Sequence, residues 1–220
     1  LDAYLDIPVG GEITARVGQF RGHVLRESLI DSGNLFFADR SALATLFAGR
    51  SQGLAVMGNF DAFDWAVTLQ NGGDALGSDL FFAVRAGLDI LGEGTDLIEG
   101  AYGASEEMEA SAGISYFNDQ STTDSDGFAV EGSLATSQFS AYATVLSLGE
   151  GGVSGANVDQ NEVYGAGFAN IAGLAGFADN TPFSLGGTFM LTEASSDYGA
   201  WEIGARFQDL DDTASTRVID

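Results

Sequence analysis

Apolar and polar side chains alternate along most of the chain. Within 62–70, Phe63, Trp65 and Val67 fall at one parity, whereas Asp64 falls at the other. A period of two residues is typical of β-strands that have one apolar face and one polar face. Because nearly every candidate strand separates bulky side chains from charged ones in this way, the pattern predicts a membrane-spanning β-barrel.

The pattern predicts about ten or eleven strands, joined by turns rich in glycine, aspartate and asparagine. Nine to eleven residues is roughly the length that a tilted strand needs to cross a bilayer. Short connectors alternate with long ones, as they do on the two sides of outer-membrane barrels. The predicted strands are 1–7, 12–20, 53–60, 62–70, 80–90, 107–117, 128–136, 139–148, 162–171, 183–193 and 198–209.

Parity also predicts which side chains face lipid. In 80–90 the aliphatic residues share one face and Arg85 lies on the other, and in 198–209 Arg206 is likewise opposite the apolar residues. A charge facing lipid near the midplane costs roughly 2–4 kcal/mol, so both arginines are predicted to face a water-filled pore. The alternative is a soluble β-sandwich, whose inner faces would be equally apolar.

The alternation stops between residues 20 and 52. Within this stretch, 41–47 has the spacing of a short helix that Ser41 could cap. A connector of this length inside a compact domain usually has a function. We therefore predict that 21–51 folds into the barrel and narrows it.

The charge distribution separates the first part of the chain from the rest. The 220 residues carry 32 acidic and 8 basic side chains, a net charge of −24, and every basic residue is arginine. Such an acidic chain repels nucleic acid. Residues 11–50 nevertheless carry a net +1, and one arginine about 4 Å from an anion is worth roughly 4 kcal/mol at an effective dielectric near 20. The arginines of this segment are Arg16, Arg21, Arg26, Arg40 and Arg50.

Other chemistry has little support in the sequence. His23 is the single histidine and cysteine is absent, which excludes multi-histidine and thiolate metal sites and makes catalysis an unfavoured function. Asp124 and Asp126 are weak candidates for calcium in an acidic loop, where a solvated turn explains them more simply. No cofactor is expected.

Two ordered motifs resemble a known family. One motif comprises Val17-Gly18-Gln19-Phe20-Arg21, Glu27, Phe37, Asp39-Arg40-Ser41, Phe47-Ala48, Gly49-Arg50 and Gly53, and the other comprises Gly199-Ala200-Trp201-Glu202, Ala205-Arg206-Phe207 and Leu210. In order and spacing, both motifs resemble those of the phosphate-selective porins of Gram-negative outer membranes.

The resemblance implies a homotrimeric, sixteen-stranded barrel. Because 217–220 looks like a strand just starting, we expect this chain to be one domain, 1–220, that is incomplete at both ends. The resemblance also implies passive diffusion of small anions such as phosphate past Arg16, Arg21, Arg26, Arg40 and Arg50, in contact with outer-membrane lipid and lipopolysaccharide. Two alternatives stay open at this point. One is a general or cation-preferring porin, and the other is a secreted acidic β-rich protein that binds calcium or acts in adhesion.

Overall fold

The described part of the chain forms one antiparallel sheet. A computed structural model describes residues 2–71, 80–120, 125–149, 181–192, 199–210 and 217–220. They contain eleven strands, and each strand pairs with the next one in chain order. The predicted all-β, antiparallel architecture is confirmed, and the predicted strand 162–171 lies outside the described residues.

The strands begin and end close to the predicted positions. They are β1 (Ala3–Gly10), β2 (Ile13–Arg21), β3 (Arg50–Phe60), β4 (Phe63–Asn71), β5 (Leu80–Leu91), β6 (Glu109–Asp119), β7 (Ser125–Ala135), β8 (Phe139–Leu148), β9 (Phe183–Thr192), β10 (Trp201–Asp209) and β11 (Arg217–Ile219). The described helices are α1 (Arg26–Leu29), a 3-10 turn (Ser32–Asn34) and α2 (Ala42–Thr45), all between β2 and β3. None of them is long and apolar enough to cross a membrane.

Tight turns join the strands where the sequence offers residues that tolerate a left-handed backbone. Asp61 has a φ of 50° in the two-residue connection between β3 and β4, and Gly11 has a φ of 58° between β1 and β2. Glycine adopts this conformation without strain, and aspartate adopts it more readily than most residues. These turns bring consecutive strands into antiparallel register.

The two faces of the sheet differ in exposure. We call the face that contacts residues 22–49 the inner face and the opposite one the outer face. Ala55, Thr68, Ala83 and Phe117 pair in register across the inner face, and none is more than 2% exposed. One residue further along, Val56, Val84 and Tyr116 point outward and are 40%, 37% and 43% exposed. The face assignments predicted for 80–90 and 198–209 agree with this arrangement.

The outer face is apolar and carries no charge away from the strand ends. Its exposed side chains include Leu54, Leu88, Ile114, Val130 and Leu185, each at least 50% exposed. Among the outward positions of the described strands, charged residues occur only at the ends, where Arg50, Asp126, Asp209 and Arg217 lie. Arg21 shares this parity at the end of β2, but its side chain turns to the inner loop and binds the Ile30 carbonyl oxygen. An exposed apolar surface that extends over a whole sheet needs a covering partner or a lipid environment.

Residues 22–49, which we call the inner loop, pack on the inner face around a small apolar core. The Phe47 and Phe117 rings meet edge to face at 5.0 Å, and the Phe81 ring stacks at 6.4 Å from Phe117. Ser41 caps α2 as predicted, since its Oγ accepts a hydrogen bond from the Ala44 amide at 3.1 Å. The loop is slightly shorter than the predicted 21–51 because Arg21, Arg50 and Ser51 belong to strands. The core also contains Val24, Leu25, Ala42, Leu43, Leu46, Ala83, Ala129, Leu146, Leu148 and Leu210.

Candidate functional site

The inner face and the inner loop together form the candidate site, and polar side chains attach the loop at three places. The first is where the loop leaves and rejoins the sheet. The Gln70 amide on β4 donates to the carbonyl oxygens of Phe20 at 2.8 Å and Ser51 at 3.1 Å. Close by, the His23 Nδ1 lies 3.0 Å from the Thr68 Oγ1. These bonds hold both ends of the loop beside β4.

The second attachment is an ion pair between β5 and β7. Arg85 pairs with Glu131, and their side chains are 10% and 7% exposed. The Glu131 carboxylate also accepts hydrogen bonds from the Arg26 amide at 3.0 and 2.8 Å, so α1 begins on this carboxylate. Gly113 lies between the two charges, since a Cβ there would stand only 2.9 Å from the Arg85 Nη2 and the Glu131 Oε1. The glycine on β6 therefore leaves room for this pair in its present position.

The third attachment is a buried cluster on β10. The Arg206 Nη1 lies 3.7 Å from the Glu27 Oε1 and 3.5 Å from the Glu99 Oε1. Glu27 also accepts hydrogen bonds from the Ser41 amide at 2.7 Å and the Ser41 Oγ at 2.6 Å. Burial raises the pKa of the Glu27 carboxyl, and its bonds with Ser41 and the charge of Arg206 oppose that effect.

Glu99 extends this cluster to a second connector, residues 92–108 between β5 and β6. Its carboxylate accepts hydrogen bonds from the Phe36 and Phe37 amides at 2.8 and 3.1 Å and from the Tyr142 hydroxyl at 2.9 Å. The Glu99 side chain is fully buried. It therefore links the inner loop to β8 and to the second connector at one point.

The arginines predicted from 11–50 lie in three different environments. Arg16 faces inward, binds both oxygens of Asp6 at 2.7 and 2.8 Å, and stacks 3.7 Å above the Tyr4 ring. Arg50 lies at the start of β3 and pairs with Asp2 at 3.0 Å. These two guanidinium groups have carboxylate partners near the first strand.

The remaining three bind main-chain carbonyl groups of the connectors. Arg21 and Arg40 both donate to the Ile30 carbonyl oxygen, Arg21 at 3.1 Å, and both are buried. Arg26 donates to the carbonyl oxygens of Asp96 and Ile98, the latter at 3.1 Å. Arg85 and Arg206 lie on the inner face, as the alternation predicts.

A small cavity, with room for about one water molecule, lies between the inner loop and β5–β8. It presents the charges of Arg26, Arg85 and Glu131 together with the hydroxyl groups of Ser133 and Thr144. Side chains of both signs and several hydroxyls can hydrogen-bond to water and to small polar solutes. The inner side of the sheet is thus polar next to the loop, in contrast with the outer face.

Acidic partners of the arginines had little signal in the sequence. Glu131 interrupts the apolar residues of β7, and its parity places it inward, so the alternation could have identified it. Glu99 lies in a connector without a periodic pattern, and its role depends on the packing of the inner loop. The calcium candidate Asp124 lies outside the described residues, and Asp126 lies in β7. In the part of the chain that is described, no group of three metal-binding side chains occurs.

His23 should titrate far below an ordinary histidine. Burial, followed by the positive charges of Arg16 and Arg85, lowers the pKa of His23 to about 4 from its usual 6.5. Because this is the single histidine of the chain, its imidazole ¹³Cε1 resonance can be followed by NMR without assignment. We expect a midpoint near 4 in the folded protein.

The same shift makes the folded state favour the neutral imidazole. The stability that the neutral His23 imidazole contributes is present above pH 6.5 and is lost as the pH falls towards 4. The protein unfolded in urea serves as the control and should titrate near 6.5. A midpoint near 6.5 in the folded protein would contradict the packing of His23 against Thr68 on β4.

The architecture defines a class of structure: a consecutive antiparallel sheet with an apolar outer face and an inner face on which both apolar and polar side chains contact an inward-folded loop. The structure is similar to the crystal structure of Pseudomonas aeruginosa OpdK with vanillate, with a TM-score of 0.39 and 11% identity over 94% of this chain and 67% of that one. It is also similar to the crystal structure of Pseudomonas aeruginosa OccK2 (OpdF), with a TM-score of 0.32 and 12% identity over 96% of this chain and 73% of that one.

No family model matches the sequence. No curated protein matches it either. Membership of the phosphate-selective porin family therefore stays a prediction, carried by the two motifs at 17–53 and 199–210.

Proposed function

We propose that the protein is a channel in the outer membrane of a Gram-negative cell and allows small solutes to diffuse passively. The observation that supports this proposal best is the outer face, which is apolar, exposed and uncharged between the strand ends. Strands with such a face can stand in hydrocarbon because their backbone groups are paired with neighbouring strands. The polar inner face and the inner loop then line the aqueous path.

Anions such as phosphate are the solutes that we propose first. The guanidinium groups of Arg21 and Arg40 converge on one carbonyl oxygen, that of Ile30, inside the inner loop. Two neighbouring positive charges raise the local potential, and the Asp31 carboxylate that lies 3.8 Å from the Arg21 Nη1 is 83% exposed, so water screens its charge. Anions that pass along the loop would be attracted by this potential.

A preference for cations is the second candidate, and a different observation favours it. Arg16, Arg50 and Arg85 each pair with a carboxylate, so much of their charge is compensated locally. The chain as a whole carries −24. If the acidic side chains dominate the potential of the pore, cations will pass more readily.

A single experiment measures both the channel and its preference. The folded protein is inserted into planar bilayers, and the zero-current potential is recorded across a tenfold gradient of potassium chloride. We expect the conductance to rise in steps, and we expect the sign of the zero-current potential to show that chloride passes more readily than potassium. Replacing both Arg40 and Arg50 by alanine should shift that potential towards the potassium side, because one positive charge of the inner loop and one at the start of β3 are lost.

The matched control is Arg217→Ala, which removes a 65% exposed guanidinium at the edge of the sheet, away from the inner loop. Its zero-current potential should equal that of the original protein. A potassium preference before any substitution would select the second candidate, and absence of conductance in correctly folded protein would reject the channel.

Three further properties stay predictions of the family resemblance. They are assembly into a homotrimer, contact with lipopolysaccharide, and the passage of phosphate in particular. Calcium binding in the acidic loops belongs to the rival hypothesis of a secreted adhesion protein, which would remain soluble without detergent. A channel should need detergent and should change its gel mobility on boiling.

A further inference from the structure

Arg206 lies at the centre of the cluster that joins the inner loop to the wall of the sheet. Its side chain is 3% exposed, and those of Glu27 and Glu99 are 5% and 0% exposed. Glu27 belongs to the inner loop, Glu99 to the connector 92–108, and Arg206 to β10. One guanidinium therefore connects three parts of the chain that are distant in sequence.

Further contacts place the second half of the inner loop on the same strand. The Arg206 Nη1 donates to the Asp39 carbonyl oxygen at 2.9 Å, and its guanidinium carbon lies 4.5 Å from the centre of the Phe37 ring. Two residues along β10, the Gln208 side chain accepts a hydrogen bond from the Ala42 amide at 2.6 Å. The opposite edge of the guanidinium contacts the Asp220 carboxylate at 2.9 Å.

The charges explain why the position of the loop depends on Arg206. Without its guanidinium, the carboxylates of Glu27 and Glu99 would remain buried and would repel each other. Removing one partner of a buried ion pair is strongly unfavourable, because the remaining charge loses both water and its counterion. Release of the loop from the sheet would carry Glu27 into solvent and restore its hydration.

We propose that Arg206, through Glu27 and Glu99, is the positioning residue that holds the inner loop against the sheet and so sets the width of the channel. Only the statement about the width of the channel rests on the proposed function. The attachment of the loop is a property of the folded chain, and it can be measured without any solute.

Trypsin provides a direct measurement, because it cleaves only after arginine and lysine and this chain has no lysine. Two of its arginines, Arg26 and Arg40, lie inside the inner loop. The Arg206→Gln protein is first shown to be folded by the change of its gel mobility on boiling. We expect trypsin to cleave it after Arg26 or Arg40 at least tenfold faster than it cleaves the original protein. In planar bilayers the same variant should show a single-channel conductance changed by at least twofold, because a released loop no longer holds one position.

Arg217→Gln is the matched control, since it removes an exposed arginine that pairs with Asp209 at 3.1 Å on the neighbouring strand. It should be cleaved in the loop as slowly as the original protein. Equal rates of loop cleavage in folded Arg206→Gln and Arg217→Gln would overturn the proposal, and so would rapid cleavage without a change in conductance.

If Arg206→Gln does not fold, Glu27→Gln decides the question. This variant keeps the shape of the side chain and can still accept a hydrogen bond from Ser41, but it loses the attraction to Arg206. Loop cleavage about threefold or more above the original protein supports the proposal, and an unchanged rate overturns it. If the original protein shows no conductance at all, the proposed function fails, whereas the cleavage rates still report on the attachment of the loop.

Discussion

Replacing Ile114 by arginine should lower the free energy of unfolding of the protein in phospholipid vesicles by about 2–4 kcal/mol. Ile114 lies in the middle of β6, points to the outer face and is 55% exposed. It pairs with Val130 of β7, which is 51% exposed on the same face. A guanidinium at this position would stand in hydrocarbon if the strands cross a membrane, and that desolvation causes the loss of stability.

The control for this experiment is Leu97→Arg. Leu97 is also apolar and exposed, at 46%, but it lies in the connector between β5 and β6 rather than in a strand. An arginine there remains in water and should change the stability by less than about 0.5 kcal/mol. Reversible urea unfolding monitored by tryptophan fluorescence measures both variants. If Ile114→Arg and Leu97→Arg lower the free energy of unfolding by equally small amounts, the outer face does not contact lipid, and the channel proposal fails.

The second large effect concerns the apolar core beneath the inner loop. Phe117→Ala should destabilise the protein by about 3–5 kcal/mol, because it removes a large buried ring and leaves a cavity that the neighbours fill only in part. Phe117 is fully buried between the rings of Phe47 and Phe81. Since Phe47 belongs to the inner loop, the loss should also weaken the packing of the loop on the sheet.

Phe128→Ala makes the matched comparison. Phe128 pairs with Tyr116, next to Phe117, but it points to the outer face and is 52% exposed. Lipid chains can fill the space that its ring leaves, so the cavity contribution is absent and the loss should be clearly smaller. Urea unfolding in the same vesicles measures both variants. A loss for Phe117→Ala no greater than that for Phe128→Ala would contradict the packing of the inner loop on the sheet.

Much of the sheet could be predicted from the sequence because its causes are local. Successive side chains of a strand point to opposite faces, so the parity of Arg85 and Arg206 was sufficient to predict their faces. The turn at Asp61 and the cap at Ser41 depend on residues within a few positions of each other. The interruption of the pattern between residues 20 and 52 likewise marked the inner loop.

The partners of the arginines could not be predicted in this way. Arg26 meets Glu131 across 105 positions, and Arg206 meets the Asp39 carbonyl oxygen across 167. Such contacts depend on which strands are neighbours, on their register and on how the loop packs, and none of these is encoded in a local pattern. The sequence therefore predicted positive charges for a filter, and it allowed salt bridges to carboxylates such as Glu12 or Glu27, but it did not indicate which carboxylate meets which arginine.

The sequence by itself determined that the chain is β-structured, which residues share a face and where the long inward loop lies, because strand geometry repeats every two residues. The tertiary structure alone decided that Arg206 holds two buried glutamates and that Arg85 pairs with Glu131. The physical reason is that burying a charge is unfavourable unless a partner of opposite sign is brought to it, and only the complete fold brings these distant side chains together.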